Sequence, residues 1–349
     1  MTHFFTFIVL SFFLLSCKGL PTPKNQKEGE TIASTDSIIR LTDHVSIIFQ
    51  DSKGNYWFAN EGVVKFDGST YTRFTTEDGL QSNSIHTIKE DHFGNIYFDT
   101  GEGICQYDGS KMTPLTVIED STKAKQLRST DLWFAGNWNM NGAYRWDGEH
   151  LYQLRLSNHP FEEEFLTAYP NPSYSPYSVY TTYVDRSGHV WLGGAVFGAC
   201  RFDGESFFWI SEREMTEIDP GPSMGIRAIA QDGNGDFYFG SNVNTKYRMV
   251  EKDGKVDYTQ LEGADTRKNE AVNSACMSLV IDDEENIWMA HYKGGVWKFD
   301  GTEFTHYPVL HKGEEAELFS IYIDRKGCLW LGTNNAGAYR WTGEKFEKF

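Results

Sequence analysis

Few side chains in this 349-residue sequence are of a kind and placement to do chemistry, and those that are fall into two sets. His86, Tyr180 and Arg227 enter short alternating runs at equivalent points of three separate stretches, and His291, Tyr292 and Lys293 stand together in a fourth. A histidine, a tyrosine and a cation are the base, the proton donor and the enolate-holding charge that a β-elimination needs. The second set is rich in amides: Trp138 with Asn139, then Asn242, then Asn334 with Asn335. Amides with a few aromatic platforms suit a neutral, hydroxyl-rich ligand such as a glycan, because directional hydrogen bonds and ring stacking share the work. All of these residues are also ordinary turn formers and packing groups, so the fold decides between the readings.

Other motifs are weaker. Asp232, Asn234 and Asp236 open like a calcium loop, but Phe237 stands where glycine is required and Val243 where the bidentate acid belongs. Gly221, Ser223 and Gly225 match the spacing of a hydrolase nucleophile without its strand–turn–helix context. No phosphate loop, H-E-x-x-H or C-x-x-C occurs, and neither a metal nor a cofactor is expected. An aspartate recurs at Asp51, Asp91, Asp185, Asp232, Asp282 and Asp324. It is similar to the aspartate box of sialidases, but its aromatic partner lies one position farther on, as in Asp51 to Trp57. A carboxylate that accepts N–H bonds inside its own turn explains the recurrence.

The elements that must position these residues are repeats. Ser320 to Phe349 breaks into SIYID, CLWLG, AGAYRW and EKFEKF, short runs separated by turn residues, which is a four-strand antiparallel meander. Its second-strand aromatic recurs at Trp57, Tyr97, Trp133, Trp191, Tyr238, Trp288 and Trp330. The third-to-fourth-strand turn recurs as Asp67-Gly68, Asp108-Gly109, Asp147-Gly148, Asp203-Gly204, Asp253-Gly254, Asp300-Gly301 and, altered, Thr342-Gly343. A unit of about 45 residues is the length of a propeller blade. The predicted fold is therefore all-β, a seven-bladed β-propeller of four-stranded antiparallel blades over residues 36–349. The third copy is irregular, since no first strand is evident between Leu115 and Trp133.

Each copy reads I-x-x-I-x-x-D-x-x-G-N-x-W-x-G followed by G-x-x-x-x-D-G, clearest in Asp51 to Gly68 and Asp185 to Gly204. This pattern resembles the two-component regulator propeller repeats, and the resemblance covers most of the chain. It implies a seven-bladed propeller, and the sensor half of a larger membrane-spanning regulator. Against that plan, no second propeller, further β-sandwich, transmembrane helix or kinase pattern is present in the sequence.

Residues 1–16 read as a secretory signal, with an apolar run from Phe4 to Leu15 that is too short to span a bilayer. Leu14-Leu15-Ser16-Cys17 looks like a bacterial lipobox, which implies acylation of Cys17. Residues 17–35 are then the lipidated cysteine and a polar tether, which at full extension reaches about 55 to 60 Å. Ile38 to Leu41 is a short strand candidate that could lie against the seventh blade. Cys105, Cys200, Cys276 and Cys328 show no disulfide spacing and read as small apolar fillers. The net charge of −17 disfavours nucleic acid, and also acidic polysaccharide unless a local basic patch overrides the average.

Strands of one blade alternate in direction, so first-to-second and third-to-fourth turns share one face, where every connection is expected to be short. The opposite face takes the long connections, Ser157 to Ser178, Ser211 to Met224, Glu262 to Ser274 and Pro308 to Glu317, and is the expected binding face. On it the second-to-third-strand loops are expected to expose Asn60, Glu61, Asn137, Phe197 and Asn244 beside the candidates above. The functional expectation is an exported lipoprotein, held at the outer membrane by its lipid anchor alone, that binds a glycan fragment or a partner envelope protein without catalysis. Two alternatives stand: a propeller lyase acting by β-elimination, and a scaffold that binds proteins along its rim.

Overall fold

The computed structural model describes residues 40–137, 139–210, 212–218, 225–253, 255–262 and 275–349. The signal, the tether, Ile38, Ile39, Trp138 and Ser223 lie outside the described residues, as do half of the second long connection and nearly all of the third.

Seven four-stranded sheets form a ring. Blade one is β1 (Ile48–Gln50), β2 (Tyr56–Ala59), β3 (Val63–Phe66) and β4 (Tyr71–Phe74), and blade two is β5 (Thr87–Glu90), β6 (Ile96–Asp99), β7 (Ile104–Tyr107) and β8 (Met112–Pro114). Blade three holds β9 (Val117–Ile118), β10 (Leu132–Phe134), β11 (Ala143–Trp146) and β12 (Leu151–Leu154). Blade four is β13 (Val179–Val184), β14 (Val190–Gly194), β15 (Ala199–Phe202) and β16 (Phe207–Ile210). Blade five is β17 (Ala228–Gln231), β18 (Phe237–Gly240), β19 (Thr245–Lys252) and β20 (Lys255–Leu261). Blade six is β21 (Cys276–Ile281), β22 (Ile287–His291), β23 (Val296–Phe299) and β24 (Phe304–Tyr307). After a small hairpin, β25 (Leu310–His311) and β26 (Glu314–Glu315), blade seven follows as β27 (Leu318–Ile323), β28 (Leu329–Thr333), β29 (Ala338–Trp341) and β30 (Phe346–Lys348).

Second strands are packed on both faces, so β2, β6, β14, β18, β22 and β28 are buried at every position. Apolar side chains gather between neighbouring blades. One cluster joins Ile48, Tyr56 and Phe58 of blade one to Trp330 and Ala338 of blade seven, which closes the circle. The four cysteines of the propeller are buried and unlinked within such layers.

The recurring aspartate ties each first hairpin to its second strand. Asp51 accepts N–H bonds from Lys53 at 3.0 Å and Asn55 at 2.8 Å, and the Trp57 indole N–H at 2.9 Å. Asp185, Asp282 and Asp324 do the same for Trp191, Trp288 and Trp330. Spacing of six therefore lets one carboxylate oxygen cap the turn while the other reaches the aromatic on the next strand. Opposite that aromatic, the third strand places a cation over its face, as with Lys65 on Trp57, Lys298 on Trp288 and Arg340 on Trp330.

Blade three breaks the pattern. Its sheet runs β10-β11-β12-β9, with β9 parallel to β12 on the outer edge, and no strand occupies the innermost place. Residues 119–131 run instead past the third-to-fourth-strand turns, with Leu127 against Gly204 and Arg128 paired to Asp147 at 3.4 Å. The expectation that every connection on that face is short is thus corrected for this blade. The chain has no first-strand sequence to pair there, so the connection crosses the blade from outside.

Among the described residues the ring closes without exchanging a strand. Ser320 Oγ donates to Ser46 O at 2.7 Å and Tyr56 OH to Asp324 at 2.6 Å. Ahead of blade one, Asp43 O accepts from Gly337 N at 2.6 Å and Val45 bridges Thr333. The lead-in leans on blade seven through Leu41 to Val45, but Arg40 and Leu41 are not in a strand.

Candidate functional site

A cavity of about 440 Å³ opens on the ring axis and draws its wall from all seven blades. Blade one and its lead-in supply His44 and Ser46; blade two supplies Ile85, His86 and Lys89; blade three Gly136. Tyr180 and Thr182 come from blade four, Arg227 from blade five, Ser278 from blade six, and Phe319, Ser320 and Asn334 from blade seven.

The missing inner strand of blade three shapes one side of this cavity. Lys89 of β5 spans the notch and donates to Thr182 Oγ1 of β13 at 3.1 Å, and Thr182 in turn donates to Trp133 O of β10 at 3.1 Å. Burial pushes the Lys89 ammonium down to about 8, partly offset by Asp99. Asp99 lies fully buried behind the wall, accepting from Gly101 N at 3.0 Å and Gly136 N at 3.1 Å, and burial raises its pKa despite those bonds. Gly101, at φ +75°, lets the His86 ring lie flat against the backbone; a Cβ there would come within 2.4 Å of it.

The Arg227 guanidinium of blade five stacks over the Tyr180 ring of blade four at 4.3 Å. Burial raises the Tyr180 pKa while the adjacent guanidinium lowers it, and burial prevails. At the rim, Glu317 accepts from Asn334 at 2.8 Å and pairs with Lys293 at 3.1 Å, while its N–H donates to Asn335 Oδ1 at 3.0 Å. The Asn334 bond, then Lys293 and Tyr292, hold the Glu317 carboxyl below its usual range. Asn334 also meets His44 Nδ1 at 3.1 Å.

Of the residues singled out in the sequence, His86, Tyr180, Arg227 and Asn334 share the cavity. Tyr292, Lys293 and Asn335 gather at Glu317 on its rim. Asn139 is exposed with its N–H on Asn137, and Asn242 lies half-buried on the loop after β18; neither reaches the cavity. His291 is completely buried at the end of β22, away from it. Expected exposure fails at His291 and at three further positions: Phe197 stacks on His159 at 4.7 Å, Asn60 is held by Thr42 and His44, and Asn244 donates to Met289. At Phe197 and Asn60 a neighbouring segment lies over the loop, and at Asn244 the adjacent strand β22 of blade six takes the side chain. Asp232 and Asp236, the calcium-loop candidates, are taken up by Lys246 and Arg248.

Lys89 and Thr182 were missed, although the repeat marks them. Two positions before the hairpin aspartate the other first strands carry Phe49, Tyr183, Ala230, Val280 and Tyr322, and blade two carries Lys89. Three before it they carry Ile48, Ile88, Ile229, Leu279 and Ile321, and blade four carries Thr182. Both departures flank the vacant inner strand.

The most regular copy is the one that matches a known family model. Residues 315–335, in blade seven, match the family model described as the two component regulator propeller. The chain carries the two-component regulator propeller repeat. Among solved structures, this repeat propeller is similar to the extracellular domain of hybrid two component system BT4673 from B. thetaiotaomicron, at 16% identity and a TM-score of 0.56. That likeness covers 86% of this chain but spans only 38% of the other. It is also similar to virginiamycin B lyase from Staphylococcus aureus, at 13% identity and a TM-score of 0.60, over 86% of this chain and 95% of that one. PorZ, a surface component of the type-IX secretion system of Porphyromonas gingivalis, aligns at 15% identity and a TM-score of 0.53, over 84% of this chain and 46% of PorZ. No curated protein matches the sequence. Identities this low speak for the propeller fold alone.

Proposed function

We propose that this propeller is a non-catalytic recognition module, exported and lipid-anchored through Cys17, that holds a glycan fragment in its axial cavity at the cell envelope. The observation that carries the reading is the cavity itself, to which every blade contributes and where Ser46, Thr182, Ser278, Ser320 and Asn334 offer hydrogen bonds beside the Tyr180 ring. Similarity to the extracellular part of a two-component system supports the sensing role and the exported location. Among the described residues no helix is long and apolar enough to cross a membrane. In this reading residues 1–16 are the signal, 17–35 the anchor and tether, and the outer membrane is the destination. A glycan array on the purified full-length protein, repeated with His86→Ala and Arg227→Met, is expected to show binding that falls at least tenfold in both variants. Unchanged binding in both would place the ligand elsewhere, and an empty array would favour a partner envelope protein at the long-loop face. Labelled palmitate incorporated by wild type and lost in Cys17→Ser tests the anchor.

A second reading is favoured by one observation: His86, Tyr180 and Arg227, a base, a proton donor and a cation, line the same cavity. That is the equipment of a β-elimination. An array ligand that is converted to an unsaturated product on incubation, with loss of turnover in Tyr180→Phe, would establish a lyase.

A further inference from the structure

The reading above leaves the charge of the ligand open. With −17 over the chain, a typical patch of this surface is acidic. The axial cavity is the reverse: its lining includes Lys89, Arg227, His44 and His86, and among the described residues it contains no aspartate or glutamate. We infer that the ligand is an anionic saccharide, bearing a carboxylate or sulfate, and that this charged group seats beside Lys89 in the notch left by blade three. The inference rests on the axial cavity being the binding site.

Three features favour that seat. Lys89 forms no ion pair among the described residues; its ammonium donates to the neutral Thr182 hydroxyl and lies 5.7 Å from the Phe134 ring, and neither partner carries a charge. Burial lowers the Lys89 pKa because a desolvated ammonium is costly, Asp99 offsets only part of that cost, and an arriving anion would relieve the rest. Nearby carboxylates are poorly placed to serve. Asp99 is sealed behind the wall by the Gly101 and Gly136 N–H groups and biased by burial toward its neutral form. Glu317 is committed to Lys293 and Asn334, and Asp43 to Lys348. A basic pocket within an acidic shell also focuses the field, so an anion is drawn to the axis rather than to the rim.

The test uses the full-length protein on an array that pairs uronate-bearing and sulfated oligosaccharides with neutral counterparts of the same linkage, followed by titration calorimetry of the hits. Acidic members are expected to bind at least tenfold more tightly than their neutral counterparts, with affinity falling as salt is raised. Lys89→Gln is expected to cut acidic affinity tenfold or more, toward the neutral value, whereas the exposed turn variant Lys111→Gln leaves it unchanged. The uronate and sulfate arms show which anion is preferred. A melting temperature for Lys89→Gln at or above wild type shows that lost binding is not lost folding. Neutral members binding as well as acidic ones, or acidic binding indifferent to Lys89→Gln, overturns the inference while leaving the axial site standing. Failure of both classes to bind overturns it together with the glycan reading.

Discussion

Blades three and seven perform the same task with different chemistry. In blade seven, Asp324 accepts from Lys326 N, Cys328 N, the Trp330 indole and Tyr56 OH, all between 2.6 and 2.9 Å, so a turn, a strand and the neighbouring blade meet on one carboxylate. Blade three has no first hairpin and no such aspartate. Asp131 instead takes Arg145 in a bidentate pair at 2.6 and 3.1 Å, both side chains 1% exposed, and Arg145 reaches on to Lys123 O at 2.7 Å. Where the repeat supplies an inner strand, a fan of N–H groups stabilises the carboxylate. Where it does not, a buried ion pair pins the crossing segment to the blade. The second device carries a larger desolvation cost, and it accompanies the absent inner strand that leaves the axial notch open.

Breaking the ion pair from one side is expected to have the largest effect. Arg145→Met strands a buried carboxylate, and denaturant unfolding is expected to show a loss of about 3 to 5 kcal/mol. Adding Asp131→Leu in the same chain should recover most of that loss, because two apolar groups replace two buried charges. If the double variant is no better than the single, the pair is more than a local pin, and the contrast with blade seven is misdrawn.

In blade seven, Asp324→Ala removes the acceptor of four donors, including the buried indole and phenol. Orphaned buried donors cost about 1 to 3 kcal/mol each, part of which relaxation recovers, so about 3 kcal/mol is expected in the same assay. A loss below about 1 kcal/mol would mean that the fan of hydrogen bonds is ornamental beside the packing of Trp330.

This contrast explains which features were legible in the sequence. The aspartate and its aromatic six residues later both belong to one hairpin, so a local pattern revealed them in Asp51 and Trp57 as in Asp324 and Trp330. The irregular third copy was equally visible, as a stretch before Trp133 without alternation. Its outcome was not, because the parallel docking of β9 on β12 and the Arg145–Asp131 pair are tertiary solutions. Loop-tip burial was misread for the same reason: Phe197 looks exposed until the connection carrying His159 lies over it. Lys89 and Thr182 occupy an intermediate position, written in the alignment of repeats but meaningful only beside an absent strand.

The connections that follow blade three and precede blade seven extend the comparison. The first is pinned by His159, 3% exposed, stacked on Phe197, with Nδ1 accepting from Phe161 N at 3.0 Å. The second is pinned at the surface by Glu317 and Lys293. An accepting Nδ1 requires the neutral ring, and burial lowers the His159 pKa from 6.5 to about 4. Since the folded-state value lies below the unfolded one, its stabilisation is full above about pH 6.5 and lost as pH falls toward 4, by about 2 to 3 kcal/mol. His159→Phe should flatten the stability profile between those limits, and raised salt should leave this connection intact while weakening the one at Glu317. An unchanged profile in His159→Phe would assign the acid loss elsewhere.

Tyr56→Phe makes the smallest change and isolates one part of the Asp324 arrangement, the bond of that carboxylate to the neighbouring blade. The phenol donates at 2.6 Å to a carboxylate that keeps its other donors, so the expected loss at neutral pH is about 1 to 2 kcal/mol. Alkaline pH supplies a stricter test. Burial, then the Asp324 carboxylate, raises the Tyr56 pKa far above 10.0, so the folded protein retains a proton that the unfolded chain releases. Stability from this group is therefore full below about pH 10 and declines above it at about 1.4 kcal/mol per pH unit. The phenylalanine variant has no such group to lose. Its deficit against wild type should shrink above pH 10 and vanish within about one to two pH units, whereas a deficit caused by altered packing alone would stay constant across the same range.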